Sequence, residues 1–269
     1  MEIRLLGAMT ARERCGSFAP TAAKPRQVLA LLALQAGQVV PVLSLIEELW
    51  GDHPPRSAMT TLQTYVLHLR RGIDRALGRR QTQSAKEILE TVHGGYQLNA
   101  QPGEVDVHEH EHLMVAGRAA AQAGDDESAS RLMGRALQLW RGPALVDVEA
   151  GPLLDIELLR LNEARLGAVE CRVAAELRLG RHAEVLGELT VLTARYPLHE
   201  RLHEQLMTAL YRAGRVWQAL ETYQKLRTTL DHELGLEPSE RLRRLHQALL
   251  NGEERLPVPD DVPAQSRPA

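Results

Sequence analysis

Aromatic residues are scarce: they make up 3 % of the 269 residues, and Phe18 is the one phenylalanine. Cores must therefore be aliphatic, and a core of Leu and Ala suits packed helices better than sheets. Cysteine is nearly missing, with Cys15 and Cys171 far apart in sequence. Two distant thiols form neither a disulfide framework nor a metal cluster, and both read as reduced structural thiols. No run approaches the roughly 18 uninterrupted apolar residues that a membrane-spanning helix needs. The opening MEIRLLG also lacks a signal-peptide core and cleavage site, so a cytoplasmic protein without membrane contact is expected. No phosphate-cradling glycine motif and no nucleophile elbow is present, which leaves an ATPase or hydrolase reading without an anchor and no cofactor to expect.

Hydrophobic residues at 44 % and charged residues at 25 % are the proportions of a globular protein with real cores. The length fits two domains rather than one. The net charge of −3 conceals an asymmetry: residues 1–100 hold 12 Lys and Arg against 8 Asp and Glu, and the remainder holds 20 against 27. A basic head on an acidic body is the distribution expected when one domain meets a polyanion and the other does not.

The N-terminal stretch from IRLLG to Pro20 is β-prone and broken by Gly16, which predicts a small antiparallel sheet. From Lys24 the string KPRQVLALLALQAGQVV carries Val28, Leu29, Leu31, Leu32 and Leu34 at helical spacing, opened by Pro25 and closed by Gly37. VLSLIEELW then predicts a short second helix ending at Gly51, and 57–77 a third. GRRQTQSAKE reads as a loop. ILETV, His93-Gly94-Gly95 and YQL read as a β-hairpin, because glycine supplies the positive φ such turns require. From residue 105 strands disappear, and helices are expected over 105–123, 126–140, 153–179, 182–196, 198–213, 216–234 and 239–250. Gly180 and Gly214 stand 34 residues apart, each followed by Arg and an amphipathic helix, which is the tetratricopeptide period. A similar turn at Gly124 is out of phase. The tail is polar and Pro-rich and reads as disordered.

Taking Leu62 as the zero of a helical wheel, Met59, Tyr65, Val66, Leu69, Ile73 and Leu77 fall within about 60° and form the core stripe of the third helix. The opposite face carries Arg56, Ser57, Thr60, Thr64, Leu67, His68, Arg71 and Arg75, with Gln63 and Arg70 on its shoulder. Such a face is either a solvated polar surface or a groove reader. The preceding short helix and the following Gly-tipped hairpin favour the second. On that reading Thr60, Gln63, Thr64, Leu67 and His68 touch base edges, while Lys24, Arg26, Arg56, Ser57, Arg70, Arg71, Arg75, His93 and Gly94 contact the DNA backbone. Arg79, Arg80 and Lys86, leading into the hairpin, are further backbone candidates. Residues 1–100 should then bind DNA alone.

KPRQVLALLALQAGQVV, LIEELWGDHPPRSAMTTLQTYVLHLRR and HGGYQL together resemble the Streptomyces antibiotic regulatory protein family. VDVHEHEHL, ALQLWRGPALVDV and YPLHERLHEQLMTALYRAGRVWQALETYQKLRTTLDHELGLEPSERLRRLHQALL resemble that family's activation domain. The likeness spans about residues 1–250 and is strongest to activators of anthracycline-type polyketide clusters. It implies a mainly α fold: an OmpR-type winged helix-turn-helix over 1–100, an all-α, tetratricopeptide-like bacterial transcriptional activation domain over 101–251, and a tail over 252–269. It further implies a DNA-binding activator of an antibiotic biosynthetic cluster that occupies direct repeats in double-stranded DNA as a dimer or tandem pair and recruits RNA polymerase holoenzyme. One departure is His110, where the family usually has an aromatic. Trp50, Trp140 and Trp217 are expected to anchor core or loops. The alternative class is a helical-repeat scaffold or effector-sensing interaction protein.

Two strings match H-E-x-x-H, at His108–His112 and His199–His203, where histidines one turn apart could hold zinc beside a glutamate base. No third ligand is evident, and Arg201 would place positive charge beside the metal. Both read as solvated helix faces, and the chain as no enzyme.

Overall fold

The computed structural model describes residues 1–78 and 84–253. Arg79 and Arg80, with the middle of the polar loop, and the tail from residue 254 lie outside the described residues. The chain packs as two compact units. The first comprises Met1–Met114 and Arg135–Leu166, and the second Val115–Gly134 with the described residues from Gly167 onward.

The first unit opens with a three-stranded antiparallel sheet, β1 (Glu2–Arg4), β2 (Thr10–Glu13) and β3 (Gly16–Ser17). Helix α1 (Ala23–Leu34) comes next, and its residues Val28–Ala33 have no solvent exposure, because a segment of aliphatic residues alone can be covered on every side. Then come β4 (Val39–Pro41), α2 (Val42–Trp50), α3 (Ala58–Leu77), a one-turn α4 (Ala85–Ile88), β5 (Leu89–Val92) and β6 (Gly95–Leu98). The second sheet has the order β4-β6-β5, with Val40 opposite Tyr96 and Thr91 opposite the other edge of Tyr96. Gly95 is needed where β6 meets β4: a Cβ there would stand 2.4 Å from the Val40 carbonyl oxygen. The sequence reading missed α4. Its signal is the spacing S-x-x-E, with the Glu87 carboxylate accepting the Ser84 N–H at 3.0 Å.

This unit does not stop at the hairpin. Helices α5 (Asp106–Gln122), α6 (Asp126–Gln138) and α7 (Pro152–Arg178) begin or end in it. Trp140, Leu145, Leu154 and Leu161 share one apolar cluster with Ile3, Leu29, Leu45 and Leu62. Backbone groups link the segments: the Ile3 N–H donates to Glu104 at 2.8 Å, Leu145 to Leu5 at 2.9 Å and Arg141 to Leu6 at 2.8 Å. Leu145 is held at φ 51°, a left-handed conformation costing about 1–2 kcal/mol for a residue with a Cβ, and its bond to Leu5 helps hold it there.

Two buried carboxylates fasten distant chain. Glu48 of α2, 2 % exposed, accepts the Gln27 side-chain amide at 2.8 Å, the Gly151 N–H at 2.7 Å, and the Leu153 and Leu154 N–H groups at 2.8 and 3.0 Å. It therefore caps the first turn of α7, where free N–H groups and the helix dipole both favour an anion. Asp106 accepts the N–H groups of Leu5 and Leu6 at 2.7 and 3.1 Å. Burial raises its carboxyl above the usual range, against those two bonds and Arg141, which favour the ionised form. His110 is fully buried, with Nδ1 3.1 Å from the Ala136 carbonyl and its ring edge-on to Trp140. An imidazole thus occupies the aromatic position and packs as a flat ring.

The second unit contains the remaining lengths of α5, α6 and α7, then α8 (His182–Arg195), α9 (Glu200–Arg212), α10 (Val216–Leu234) and α11 (Glu240–Leu250). Its turns repeat one geometry. Gly124, Gly180 and Gly214 take φ of 76°, 79° and 75°, and the next N–H of each reaches back to Ala120, Glu176 and Leu210 at 2.9 Å. These are Schellman caps, so Gly124 shares the turn although its sequence phase differs. Trp217 does not anchor a core: it is 66 % exposed in the first turn of α10, where Ala219 turns inward instead. No helix among the described residues is long and apolar enough to cross a membrane.

Candidate nucleic-acid interface

Helix α3 owes its orientation to a single apolar stripe. Leu62, Val66, Leu69, Ile73 and Leu77 are buried against the core that α1 and α2 share, each worth roughly 1.5–3 kcal/mol relative to exposure. Met59, expected in this stripe, is 47 % exposed, because Ala58 takes the inward place in the first turn. With the stripe fixed, the opposite face is turned out. Thr60, Gln63, Thr64, Leu67, His68, Arg71 and Arg75 are all exposed, as are Arg56 and Ser57 just ahead of the helix.

The local chemistry suits a groove. The Thr64 hydroxyl donates to the Thr60 carbonyl at 2.9 Å, which leaves its lone pairs outward as acceptors. Ser57 makes no side-chain cap to α3, and the Ala58 N–H donates to the Pro55 carbonyl at 2.9 Å. Arg56 and Arg71 form no ion pair with a described residue, and the Arg75 Nε lies 3.2 Å from the Arg71 carbonyl. His93 and Gly94 form the exposed tip between β5 and β6, Gly94 supplying the positive φ of 81°. Lys86 is exposed on α4.

Three cations expected on the DNA backbone are engaged inside the protein. Lys24 donates its ammonium to the Leu49 carbonyl at the end of α2. Arg26 spends its guanidinium on the Pro20 and Met9 carbonyls, at 3.0 and 2.7 Å, and on Asp147. Arg70, on the shoulder of α3, donates Nε and Nη2 to the Leu89 carbonyl at 2.9 and 2.7 Å, and Nη2 also to the Thr91 hydroxyl at 2.7 Å. Sequence could not separate these three from Arg56 and Arg71, since their acceptors belong to other segments.

The H-E-x-x-H histidines are likewise engaged or turned away. His108 Nε2 lies 3.1 Å from the Leu34 carbonyl, and His112 is exposed. His199 precedes α9 rather than lying on it, and its Nε2 pairs with Glu170 at 3.0 Å. His203 turns Nδ1 to the His199 carbonyl at 3.2 Å, and burial lowers its pKa. His108, His199 and His203 each turn a ring nitrogen to a separate protein partner.

Comparison with known proteins agrees with this architecture. A family model described as the bacterial transcriptional activator domain matches residues 105–250, and one described as the C-terminal part of transcriptional regulatory proteins matches 19–98. The chain is 52 % identical to the regulatory protein DnrI of Streptomyces peucetius, covering 94 % of this chain and 93 % of that protein. It is 37 % identical to the transcriptional regulator RedD of Streptomyces coelicolor, over 96 % of this chain and 73 % of that one. The solved structure of Mycobacterium tuberculosis EmbR in complex with a low-affinity phosphopeptide superposes with a TM-score of 0.87 at 32 % identity, over 93 % of this chain and 65 % of the EmbR chain. These relatives are transcriptional regulators rather than enzymes, and with a winged helix followed by the activator domain the chain belongs to the Streptomyces antibiotic regulatory protein family of transcriptional activators.

Proposed function

We propose that this activator reads upstream DNA of an antibiotic biosynthetic cluster by laying α3 in the major groove. Thr60, Gln63, Thr64, Leu67 and His68 meet base edges, and Arg56, Ser57, Arg71, Arg75, His93 and Gly94 meet the phosphates. The observation that carries this reading is the outward face of α3, where hydroxyl, amide, imidazole and guanidinium groups are exposed together beside an exposed wing tip. Two chains bind direct repeats in tandem, with half-sites about one helical turn (10–11 base pairs) apart so that both readers lie on one side of the duplex. RNA polymerase holoenzyme is then recruited to the adjacent promoter.

Protection mapping of upstream DNA with the full chain, repeated across a salt series, tests the proposal. Two protected segments in direct orientation, with affinity falling steeply as salt rises, are expected. Binding that ignores sequence, or a single protected segment, would refute the base-reading or tandem part respectively.

A further inference from the structure

The wing is not free to choose its angle. Arg70 lies next to Arg71 and three residues after Leu67 on α3, and its guanidinium reaches across to the first strand of the hairpin. Nε and Nη2 converge on the Leu89 carbonyl, and Nη2 also holds the Thr91 hydroxyl two residues along. One turn later on α3, Asp74 Oδ1 accepts the N–H of Ala85, the first residue of α4, at 3.1 Å. The segment from α4 into β5 is therefore gripped by α3 at both ends. Its other flank is tied by Asn99, whose side-chain amide donates to the Glu87 carbonyl at 2.8 Å and whose N–H donates to Ile88 at 2.7 Å. The second strand of the hairpin is paired along β4, and the Val42 N–H donates to the Gly94 carbonyl at 3.0 Å, so Arg70 supplies the side-chain hold on the first strand, β5.

We propose that Arg70 is a positioning residue for recognition: its two-pronged bond to β5 locks the wing at one angle to the reading face of α3, so that the contact made by the wing falls at a fixed offset from the bases read by the helix. The idea rests on the reading of α3 and the wing as the DNA-contacting elements. A guanidinium suits this role because its donors are planar and fixed in a fork, which spans Leu89 and Thr91 together. A lysine carries the same charge but gathers its three donors on one freely rotating ammonium nitrogen, so it does not span both acceptors in one fixed geometry.

This distinction gives the test, made on the full chain with Arg70→Lys, Arg70→Met and Thr91→Val. Amide hydrogen exchange without DNA reads the lock itself. Both Arg70 variants should speed exchange across residues 89–98 by about tenfold or more, the scale of one lost charge-assisted hydrogen bond, and leave the amides of α1 unchanged. Thr91→Val, at an exposed position that folding does not depend on, should loosen the same amides to a smaller degree. Hydroxyl-radical protection on DNA reads the consequence: protection under the wing should fade equally in Arg70→Lys and Arg70→Met while protection under α3 persists. Wild-type behaviour of Arg70→Lys in both measurements would make Arg70 a charge contact and overturn the proposal. So would unchanged wing exchange in Arg70→Met, or faster exchange spreading into α1, which would mark a general stability role. If the wild-type chain shows no sequence-specific protection, the DNA-reading proposal fails while the exchange data still decide the lock.

Discussion

Different physics holds each of the two compact units together. In the first, the decisive bonds run between residues about a hundred apart: Glu48 to Gly151, Leu153 and Leu154, Asp106 to Leu5 and Leu6, and the N–H of Met9 to Asp147. In the second, helices close on their neighbours. Arg178 pairs with Asp126 at 2.7 Å, Arg241 with Glu204 at 2.7 Å and Arg227 with Glu237 in a two-pronged bond, over a stack of α8, α9 and α10 with Gly-capped turns before α8 and before α10. Carboxylates that accept several backbone N–H groups from far along the chain fix those segments in one geometry. A helical repeat needs only each element to fit the next.

The largest expected effect comes from cutting the first unit where its sequence suggests a boundary. A fragment ending at Asn99 lacks the three backbone donors to Glu48 and the carboxylates of Asp106 and Asp147, and leaves Leu29, Leu45 and Leu62 without Trp140, Leu154 and Leu161. The sequence alone predicts that residues 1–100 suffice for DNA binding. The packing predicts instead that this fragment melts well below the full chain, by circular dichroism, and binds DNA poorly. A fragment as stable as the full chain would break the comparison between units.

Glu48→Ala in the full chain comes next. It strands the N–H groups of Gly151, Leu153 and Leu154 at the start of α7, while the Gln27 amide keeps its bond to the Glu48 backbone carbonyl at 2.8 Å, for an expected loss of about 3–5 kcal/mol in urea unfolding. Arg178→Ala in the second unit should lose about 1 kcal/mol, because its partner is part-exposed and neighbouring packing remains. Equal losses would erase the distinction.

The outward face of α3 should behave unlike either interior. Thr60→Ala and Thr64→Ala are expected to change stability little but to lower discrimination at particular base pairs by about 1–3 kcal/mol. Arg71→Ala should weaken every sequence and reduce the salt slope by about one. Competition binding at several salt concentrations separates the two patterns.

A smaller effect sharpens the picture of the second unit. His203 has its pKa lowered by burial, so the unfolded chain takes up a proton that the folded chain refuses. Stability therefore rises with pH up to the unfolded value of about 6.5 and is lost as pH falls below it toward the lowered folded value. His203→Gln should flatten that dependence in urea titrations at several pH values. An unchanged slope would assign the sensitivity elsewhere.

Smallest are Glu109→Gln and Glu200→Gln. Each glutamate makes at most one or two surface contacts, Glu109 with Arg135 at 3.8 Å and Glu200 with the Ser239 N–H at 2.8 Å. Less than about 0.5 kcal/mol is expected for either, with DNA binding intact.

Much of this molecule is determined by the sequence itself. Helical period and glycine stops place α1, α2, α3 and the helices from α5 to α11 to within a few residues, and Gly94 marks the hairpin tip, because these signals act over a turn or two of chain. The apolar stripe of α3 likewise determines which face turns out, and with it Thr60, Gln63, Thr64, Leu67 and His68. Tertiary structure decided what each charge does. Lys24, Arg26 and Arg70 differ from Arg56 and Arg71 in no local feature, and only packing brings Leu49, Asp147 and Leu89 within reach of the first three. It also decided that Trp217 lies on the surface, that His110 fills an aromatic slot, and that Glu48 faces inward as a cap for a helix a hundred residues away. A carboxylate on an amphipathic helix is solvated by default, and Glu48 is buried because Gly151, Leu153 and Leu154 supply the N–H groups that replace its water.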